Sequence, residues 1–324
     1  MSKINIWKKY SKEGKLGSGT YTLVYKAKNI ENGNYVAIKE INKQKYNTNL
    51  IKEKIKTMKI NSENNIMINE IIDSDKNIYL IMDLYLFNLE EYINMRKKHL
   101  SIDEIRKILL DLNKSLKLMK EKEIIHANIT LSNILISLNK LNQLSFNLCV
   151  SDSIQFINQF DSKTFSNQNT ILSKSPEFLK GEDISNKSDI WSLGIIIYYM
   201  LFNKFPYEGK NEYQLYKNII SNKNNKNIIN DIEDKELKDL LMKMLKIDLN
   251  ERISWDDYFN HSFFKTNINI FPKFHFICNY HLNIIHYILL FLFHLFHIQI
   301  LLILLFYILL QFLSYVFHLN NLKF

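Results

Sequence analysis

The apolar residues of this chain change their period near residue 88, and that change does most to limit what the chain can fold into. Before it, LGSGTYTLVYKAKN alternates in the manner of a strand pair. NYVAIKEI and NIYLIMDL are two further strand candidates, rich in branched side chains. Beyond it the spacing is helical. In IRKILLDLNKSLKLM, apolar residues at 105, 108, 109, 112, 116 and 119 mark one helix face. A second helix at about 188–203, SDIWSLGIIIYYMLFN, is apolar on nearly all sides, as a helix buried inside a large lobe would be. Strands first and helices afterwards predict an α+β architecture: a small β-rich lobe, a larger helical lobe and a cleft between them. With 324 residues and an apolar fraction of 47%, the chain is long and apolar enough to bury such a core.

Charge narrows the partners. Lys and Arg number 42 against 33 Asp and Glu, a formal charge of +9. Such an excess suits nucleic acid, an anionic membrane or an acidic partner. Here the lysines are scattered among asparagines with no arginine-rich block, which predicts an ordinary solvated surface and no nucleic-acid partner. The Asn/Lys stretch at 221–230 reads as a surface loop. The two cysteines, Cys149 and Cys278, form no CxxC pair, which excludes a disulfide or zinc scaffold and fits a reducing compartment. The opening MSKINIWKKYSKEGK has no long apolar stretch, so no cleavable signal peptide is expected.

Two short motifs carry phosphate chemistry. In LGSGTYTLV, Gly17 and Gly19 permit a tight strand–turn–strand whose backbone N–H groups approach phosphates with no Cβ in the way. VAIK at 36–39 follows some 20 residues on, and puts Lys39 on the next strand, where it can reach into a cleft and neutralise phosphate charge. With these two elements the chain resembles the eukaryotic-type protein kinases, Ser/Thr-like and divergent.

The resemblance continues in order along the chain. IIHANITLSNILI, residues 124–136, resembles the catalytic loop, with His126 and Asn133 matching. VSDSI at 150–154 occupies the Asp-Phe-Gly position with Asp152 kept, and SPE at 175–177 resembles Ala-Pro-Glu. SDIWSLG at 188–194 matches the helix that anchors the large lobe, and ERISWDDYFNHSFF at 251–264 matches the end of the domain. The resemblance implies a two-lobed kinase domain over 10–264, with an N-lobe at about 10–84 and a C-lobe at about 85–264. It implies ATP as ligand, with Leu16, Gly17, Ser18, Gly19 and Lys39 around the phosphates. Val24, Ala37 and Leu135 would sandwich the adenine, and Met82, Asp83 and Tyr85 would stand at the gatekeeper and hinge. Asn133 and Asp152 would hold Mg2+, both being hard oxygen donors. Structural roles fall to His126, to Asp189, and to Glu177 paired with Arg252. Cys149 would be core packing.

Several positions depart from a working kinase. The carboxylate that takes or orients the substrate hydroxyl would stand at 128, where this chain has Asn128. An amide cannot accept that proton, and losing a general base typically costs about 10²–10⁴ in rate. The lysine expected two residues later is Thr130, and the arginine expected before it is Ala127. Thr22 replaces the third glycine of the phosphate loop, and Ser153-Ile154 replaces Phe-Gly. On the helix that follows the third strand, an ungapped comparison puts Lys54 where the partner of Lys39 belongs and Glu53 beside it. One helical residue is about 100° of rotation, so Glu53 pairs with Lys39 only if the helix shifts. These losses predict a pseudokinase that binds nucleotide and a protein partner in a regulatory or scaffolding role. The alternatives are a divergent active Ser/Thr kinase and a damaged gene product.

The tail is a separate matter. From Phe274 to Leu322 there is no Lys, Arg, Asp or Glu. After a linker at 265–283, the 35-residue run from Ile284 to His318 predicts a transmembrane helix, since a bilayer span needs about 20 apolar residues. Lys265 and Lys273 precede it and only Lys323 follows, which puts the kinase domain on the cytoplasmic side. Six of the nine histidines fall within 275–318, and those at 286, 294, 297 and 318 interrupt the apolar run, which holds no acidic or Cys residue to share a metal with them. Translated AT-rich non-coding sequence has a similar composition and is the competing explanation of this stretch.

Overall fold

The computed structural model describes residues 5–18, 22–45, 68–96, 98–138, 143–149, 155–156, 171–221 and 229–265. The chain divides into a unit over Met1–Asn269 and another over Ile270–Phe324, and every described residue lies in the first.

Five strands open the chain: β1 (Tyr10–Ser18), β2 (Thr22–Asn29), β3 (Tyr35–Asn42), β4 (Ile68–Asp73) and β5 (Asn77–Asp83). They form one antiparallel sheet in the order β1-β2-β3-β5-β4. The β2–β3 turn is set by side-chain chemistry. The Asn29 side-chain oxygen accepts from the N–H groups of Glu31 (2.9 Å) and Asn32 (3.4 Å), and Gly33 supplies a φ of +74°. Successive strand residues point to opposite faces, and residues paired in register share a face. One face buries Ala27, Val36, Ile38, Tyr79 and Ile81 against Ile6 and Tyr10, with Trp7 and Ile72 at the margin. The other face therefore carries Val24, Ala37, Lys39, Leu80 and Met82.

Helices follow: α1 (Leu89–Arg96) after the short strand β6 (Phe87–Asn88), then α2 (Ile102–Glu121). Helix α2 starts at a reciprocal cap. The Ser101 hydroxyl accepts from the Glu104 N–H, and the Glu104 carboxylate accepts from the Ser101 N–H at 2.8 Å. Its apolar stripe, Ile105, Ile108, Leu109, Leu112, Leu116 and Met119, is fully buried. After α2 come β7 (Ile124–Ile125), a single 3-10 turn at Leu131–Asn133, β8 (Ile134–Leu138), β9 (Leu144–Leu148) and β10 (Gln155–Phe156). Strands β6, β8 and β9 form a three-stranded sheet, and β10 pairs with β7.

The α-helices that follow among the described residues are α3 (Pro176–Lys180), α4 (Asn186–Phe202), α5 (Glu212–Ser221), α6 (Lys235–Met244) and α7 (Trp255–Phe259), with a 3-10 turn at Ser262–Phe264. Helix α4 is buried on nearly all sides, with Ile190, Trp191, Leu193, Ile195, Ile197 and Met200 shielded from water. Its Gly194 is a packing requirement, because a Cβ there would sit 2.9 Å from Leu245 Cδ2. The β-rich start and helical remainder match the two-part architecture expected from the change of period. The apolar run 284–318 and the linker beyond Lys265 lie outside the described residues. Among the described residues no helix is long and apolar enough to cross a membrane.

Candidate nucleotide site and catalytic loop

Strand register assembles the first half of the site. Lys39 on β3 lies opposite Val24 on β2 and Leu80 on β5, and Val24 lies opposite Gly17 on β1. Ala37, two residues from Lys39, lies opposite Met82. Gly17, Val24, Ala37, Lys39 and Met82 thus share one patch of one face. Lys39 is only 8% exposed. Thr22 at the head of β2 is buried beside this patch's strand partner Ile41. Leu16 is 52% exposed and Ser18 is exposed, both at the end of β1. Asp83 closes β5 on the opposite face, where its carboxylate accepts from Asn69 Nδ2 at 2.6 Å. Tyr85 follows with its phenol pKa pushed up by burial. Leu135 on β8 is half-buried, opposite Asn88 and Asn147.

The second half is the loop from 126 to 130 between β7 and the 3-10 turn. It is held from beneath by α4. The Asp189 carboxylate accepts from the His126 N–H at 2.7 Å and from the Ala127 N–H at 2.9 Å. Ala127 takes a φ of +59°, a left-handed conformation that turns the chain so both amides meet one carboxylate. His126 Nε2 stands 2.8 Å from the Cys149 carbonyl, which can only accept, so Nε2 carries the proton. Burial, then the charges of Lys174 and Lys39, lower the His126 pKa to about 4, so the ring is neutral at pH 7. Asn133 Nδ2 donates to the Asn128 carbonyl at 2.9 Å and closes the loop. The Thr130 hydroxyl meets the Ser132 hydroxyl at 3.1 Å.

Below the loop, Glu177 and Arg252 form a buried two-pronged pair. Arg252 Nη1 and Nη2 donate to the two Glu177 oxygens at 2.8 and 3.0 Å, and the Ser188 hydroxyl donates to Glu177 at 2.6 Å. Trp255 Nε1 donates to the Asn186 carbonyl at 3.0 Å and ties α7 to the same helix, α4.

A sequence model of the protein kinase domain matches residues 10–264. The chain belongs to the protein kinase family. It is 27% identical over 250 residues to serine/threonine-protein kinase 33 of Bos taurus, covering 74% of this chain and 51% of that protein. To serine/threonine-protein kinase unc-51 of Caenorhabditis elegans it is 28% identical over 270 residues, 78% of this chain and 31% of the relative. The figures for serine/threonine-protein kinase ATG1a of Arabidopsis thaliana are 28% over 268 residues, 79% and 42%. This kinase chain therefore spans about half or less of the length of these relatives.

In this kinase domain, Gly19, Glu53 and Asp152 lie outside the described residues, as do Lys54 and Ser153-Ile154. Among the described residues no group of three His, Cys, Asp or Glu side chains is placed to hold a metal ion. Asn133 fits a metal in one respect. Its nitrogen is committed to the Asn128 carbonyl, so its side-chain oxygen is the atom left to face a hard cation. The patch around Lys39 fits a nucleotide. It sets a nearly buried ammonium beside the apolar Val24, Ala37 and Met82, as charged phosphates and a flat base require.

One residue of the loop's surroundings was not singled out by sequence reasoning. Lys174, just ahead of α3, is 3% exposed, and its Nζ donates to the Ala127 carbonyl at 2.7 Å and to Asn128 Oδ1 at 3.1 Å. Burial lowers its pKa to about 7, partly offset by the nearby Asp189 carboxylate. In the sequence it is one more lysine in a lysine-rich chain.

Proposed function

We propose that this chain is a nucleotide-binding kinase domain that transfers phosphate slowly or not at all, and that it acts by holding a protein partner. The observation that carries this reading is the state of position 128. Asn128 offers an amide whose oxygen is already engaged by Lys174 Nζ. It has no basic site for the proton of an attacking hydroxyl. Thr130 and Ala127 remove two further charges that support phosphoryl transfer. Lys39 supports retained ATP binding, since its buried ammonium stands on the same face as Val24, Ala37 and Met82. Mg2+, if used, would meet Asn133 and Asp152. For 284–318 the same reading includes a membrane anchor with the domain on the cytoplasmic side, supported by the sequence alone.

The second reading, a divergent active Ser/Thr kinase, is favoured by the loop architecture. His126, Asp189, Asn133 and the Glu177–Arg252 pair all make buried or half-buried hydrogen bonds. A thermal-denaturation titration with ATP, with and without Mg2+, run beside a radiolabel transfer assay, separates the two. ATP at 100 times its Kd is expected to add about 2.7 kcal/mol of stability, with transfer at background. A melting temperature flat to millimolar ATP removes the nucleotide part of the reading. Transfer to a generic protein substrate at ordinary kinase rates replaces it with the second.

A further inference from the structure

The outer face of the five-stranded sheet, away from Lys39, carries a cavity of about 470 Å³, a size that suits a small organic group. Its floor is apolar: Val36 on β3, Ile81 on β5 and the Tyr10 ring on β1, all nearly sealed from water. The wall on β4 and β5 presents acceptors. Glu70 stands opposite Ile81 and Asp83 opposite Val36, so both carboxylates share the face of the floor. An irregularity in register between Ile68 and Glu70 inserts Asn69 beside them. Asn69 Nδ2 donates to Asp83 Oδ1 at 2.6 Å, which leaves Asn69 Oδ1 and Asp83 Oδ2 as the open atoms of that pair. Glu70 Oε2 accepts from Lys9 Nζ at 2.8 Å and from the Tyr10 hydroxyl at 3.2 Å, and Oε1 is the oxygen left over.

The wall formed by the β2–β3 turn offers donors. The Asn29 side-chain oxygen is taken by the Glu31 and Asn32 N–H groups, and the Asn32 side-chain oxygen by the Asn34 N–H at 2.9 Å. Their NH2 groups are therefore the open ends. Asn29 lines the cavity while only 9% exposed, and its NH2 donates to no other described group. A nearly buried donor left open calls for an acceptor from a ligand or from water. Charge decides what the acceptor wall takes. Two carboxylates stand there against the one ammonium of Lys9, a local negative excess in a chain whose formal charge is +9. A cleft of that sign concentrates cations. The cavity is far larger than a bare ion needs, and among the described residues no three His, Cys, Asp or Glu side chains group to hold one. A guanidinium suits it better than an ammonium. It lies flat on the apolar floor and carries a rigid fork of five donors for the open oxygens of Glu70, Asp83 and Asn69.

We propose that this cavity receives an arginine side chain of a protein partner, with the guanidinium on Glu70, Asp83 and Asn69 and a backbone carbonyl of the partner on the Asn29 and Asn32 amides. A second copy of this chain is not the donor. Its three arginines, Arg96, Arg106 and Arg252, are each engaged within their own fold, by Glu104, the Phe263 carbonyl and Glu177. The inference rests on the reading of this chain as one that holds a protein partner, and it supplies that partner's chemistry. Val36 and Ile81 alternate with Ala37 and Met82 of the opposite face, so the sheet separates this cavity from the nucleotide patch and both fill at once.

The test titrates the full chain with glycyl-arginyl-glycine capped at both ends, followed by ligand-observed saturation-transfer NMR. The same peptide with lysine or citrulline in place of arginine, and free L-arginine, are run beside it. The arginine peptide is expected to bind about tenfold tighter than the lysine peptide, the size of one charge-assisted hydrogen bond, and the citrulline peptide not measurably. Glu70→Gln keeps the shape and removes one charge. It is expected to weaken the arginine peptide about tenfold and to leave stabilisation by ATP unchanged. Should it fail to fold, Asp83→Asn at an exposed position decides by the same affinity. Saturating ATP is expected to leave the peptide's affinity as it was. Equal binding of the arginine and citrulline peptides, an affinity indifferent to the loss of a carboxylate, or displacement by ATP overturns the inference. Free L-arginine binding tighter than the capped peptide overturns it too, since the ligand is then a free amino acid. If the arginine peptide does not bind a chain that ATP still stabilises, this inference falls and the reading above stands. If neither binds, both fall.

Discussion

At the scale of single residues, the catalytic loop concentrates three buried titratable groups. Burial lowers His126 to about 4 and Lys174 to about 7, and it raises Asp189 to about 7 against the N–H groups of His126 and Ala127 and the charge of Lys174. Their effects on stability differ in sign. Between about pH 7 and its ordinary 10.5, Lys174 binds its proton in the unfolded chain but not in the folded one, so stability rises with pH there. His126 acts the same way between about 4 and 6.5. Asp189 acts oppositely, since its folded-state proton stabilises below 3.8 and that contribution is lost as pH rises to about 7. His126 and Asp189 therefore oppose each other in acid, and Lys174 is the member of the three that acts above neutrality. The unfolding free energy of the full chain, from urea titration, is expected to rise from pH 7 to 9, by at most about 1.4 kcal/mol per pH unit for one proton. In Lys174→Met the rise is expected to flatten. An equal slope in both proteins would mean that Lys174 is not desolvated.

At the scale of elements, the helical part is fastened by α4 and by one ion pair. Glu177 on α3 and Arg252 ahead of α7 are 4% and 1% exposed. Burial alone would raise the Glu177 pKa, but hydrogen bonds and charge from Arg252, with the Ser188 hydroxyl, outweigh it and leave the carboxyl below its ordinary value. Arg252→Met strands a buried carboxylate and is expected to cost about 3–5 kcal/mol in urea unfolding. The double variant with Glu177→Gln is expected to cost less than the sum, and an Arg252→Met cost under about 1 kcal/mol would contradict the pairing's importance. Ser101→Ala at the start of α2 is expected to cost about 1 kcal/mol. The sequence displayed these elements unevenly. The stripe of α2 and the all-round apolar surface of α4 are periodic, so their existence was readable and their ends fell within two or three residues of the observed ones. Strand β4, Ile68–Asp73, went unread, because INEIID neither alternates cleanly nor carries turn residues at both ends. Lys174 went unread for another reason. Its position depends on where α3 docks against the loop, and no local pattern encodes that.

At the scale of the whole molecule, the described residues account for a kinase domain, while the apolar run at 284–318 lies outside them. Thirty-five residues without a formal charge, from Ile284 to His318, leave no polar face to meet water if the segment is helical. A bilayer span needs about 20 such residues, and a longer run is accommodated by tilt or by lying partly in the interface. The lysines at 265 and 273 precede it, with only Lys323 after, so the domain is expected to stay on the cytoplasmic face. Histidines 286, 294, 297 and 318 interrupt the run, but neutral imidazole is tolerated in a membrane far better than a fixed charge. The measurement is carbonate extraction of membranes from cells expressing the full chain with a fluorescent tag. The tagged chain is expected to stay in the pellet after the wash, and protease added to sealed vesicles is expected to reach the kinase domain. Release of the full chain into the supernatant, or transcripts that stop near residue 270, would remove the anchor and leave the kinase domain as the functional part of the chain.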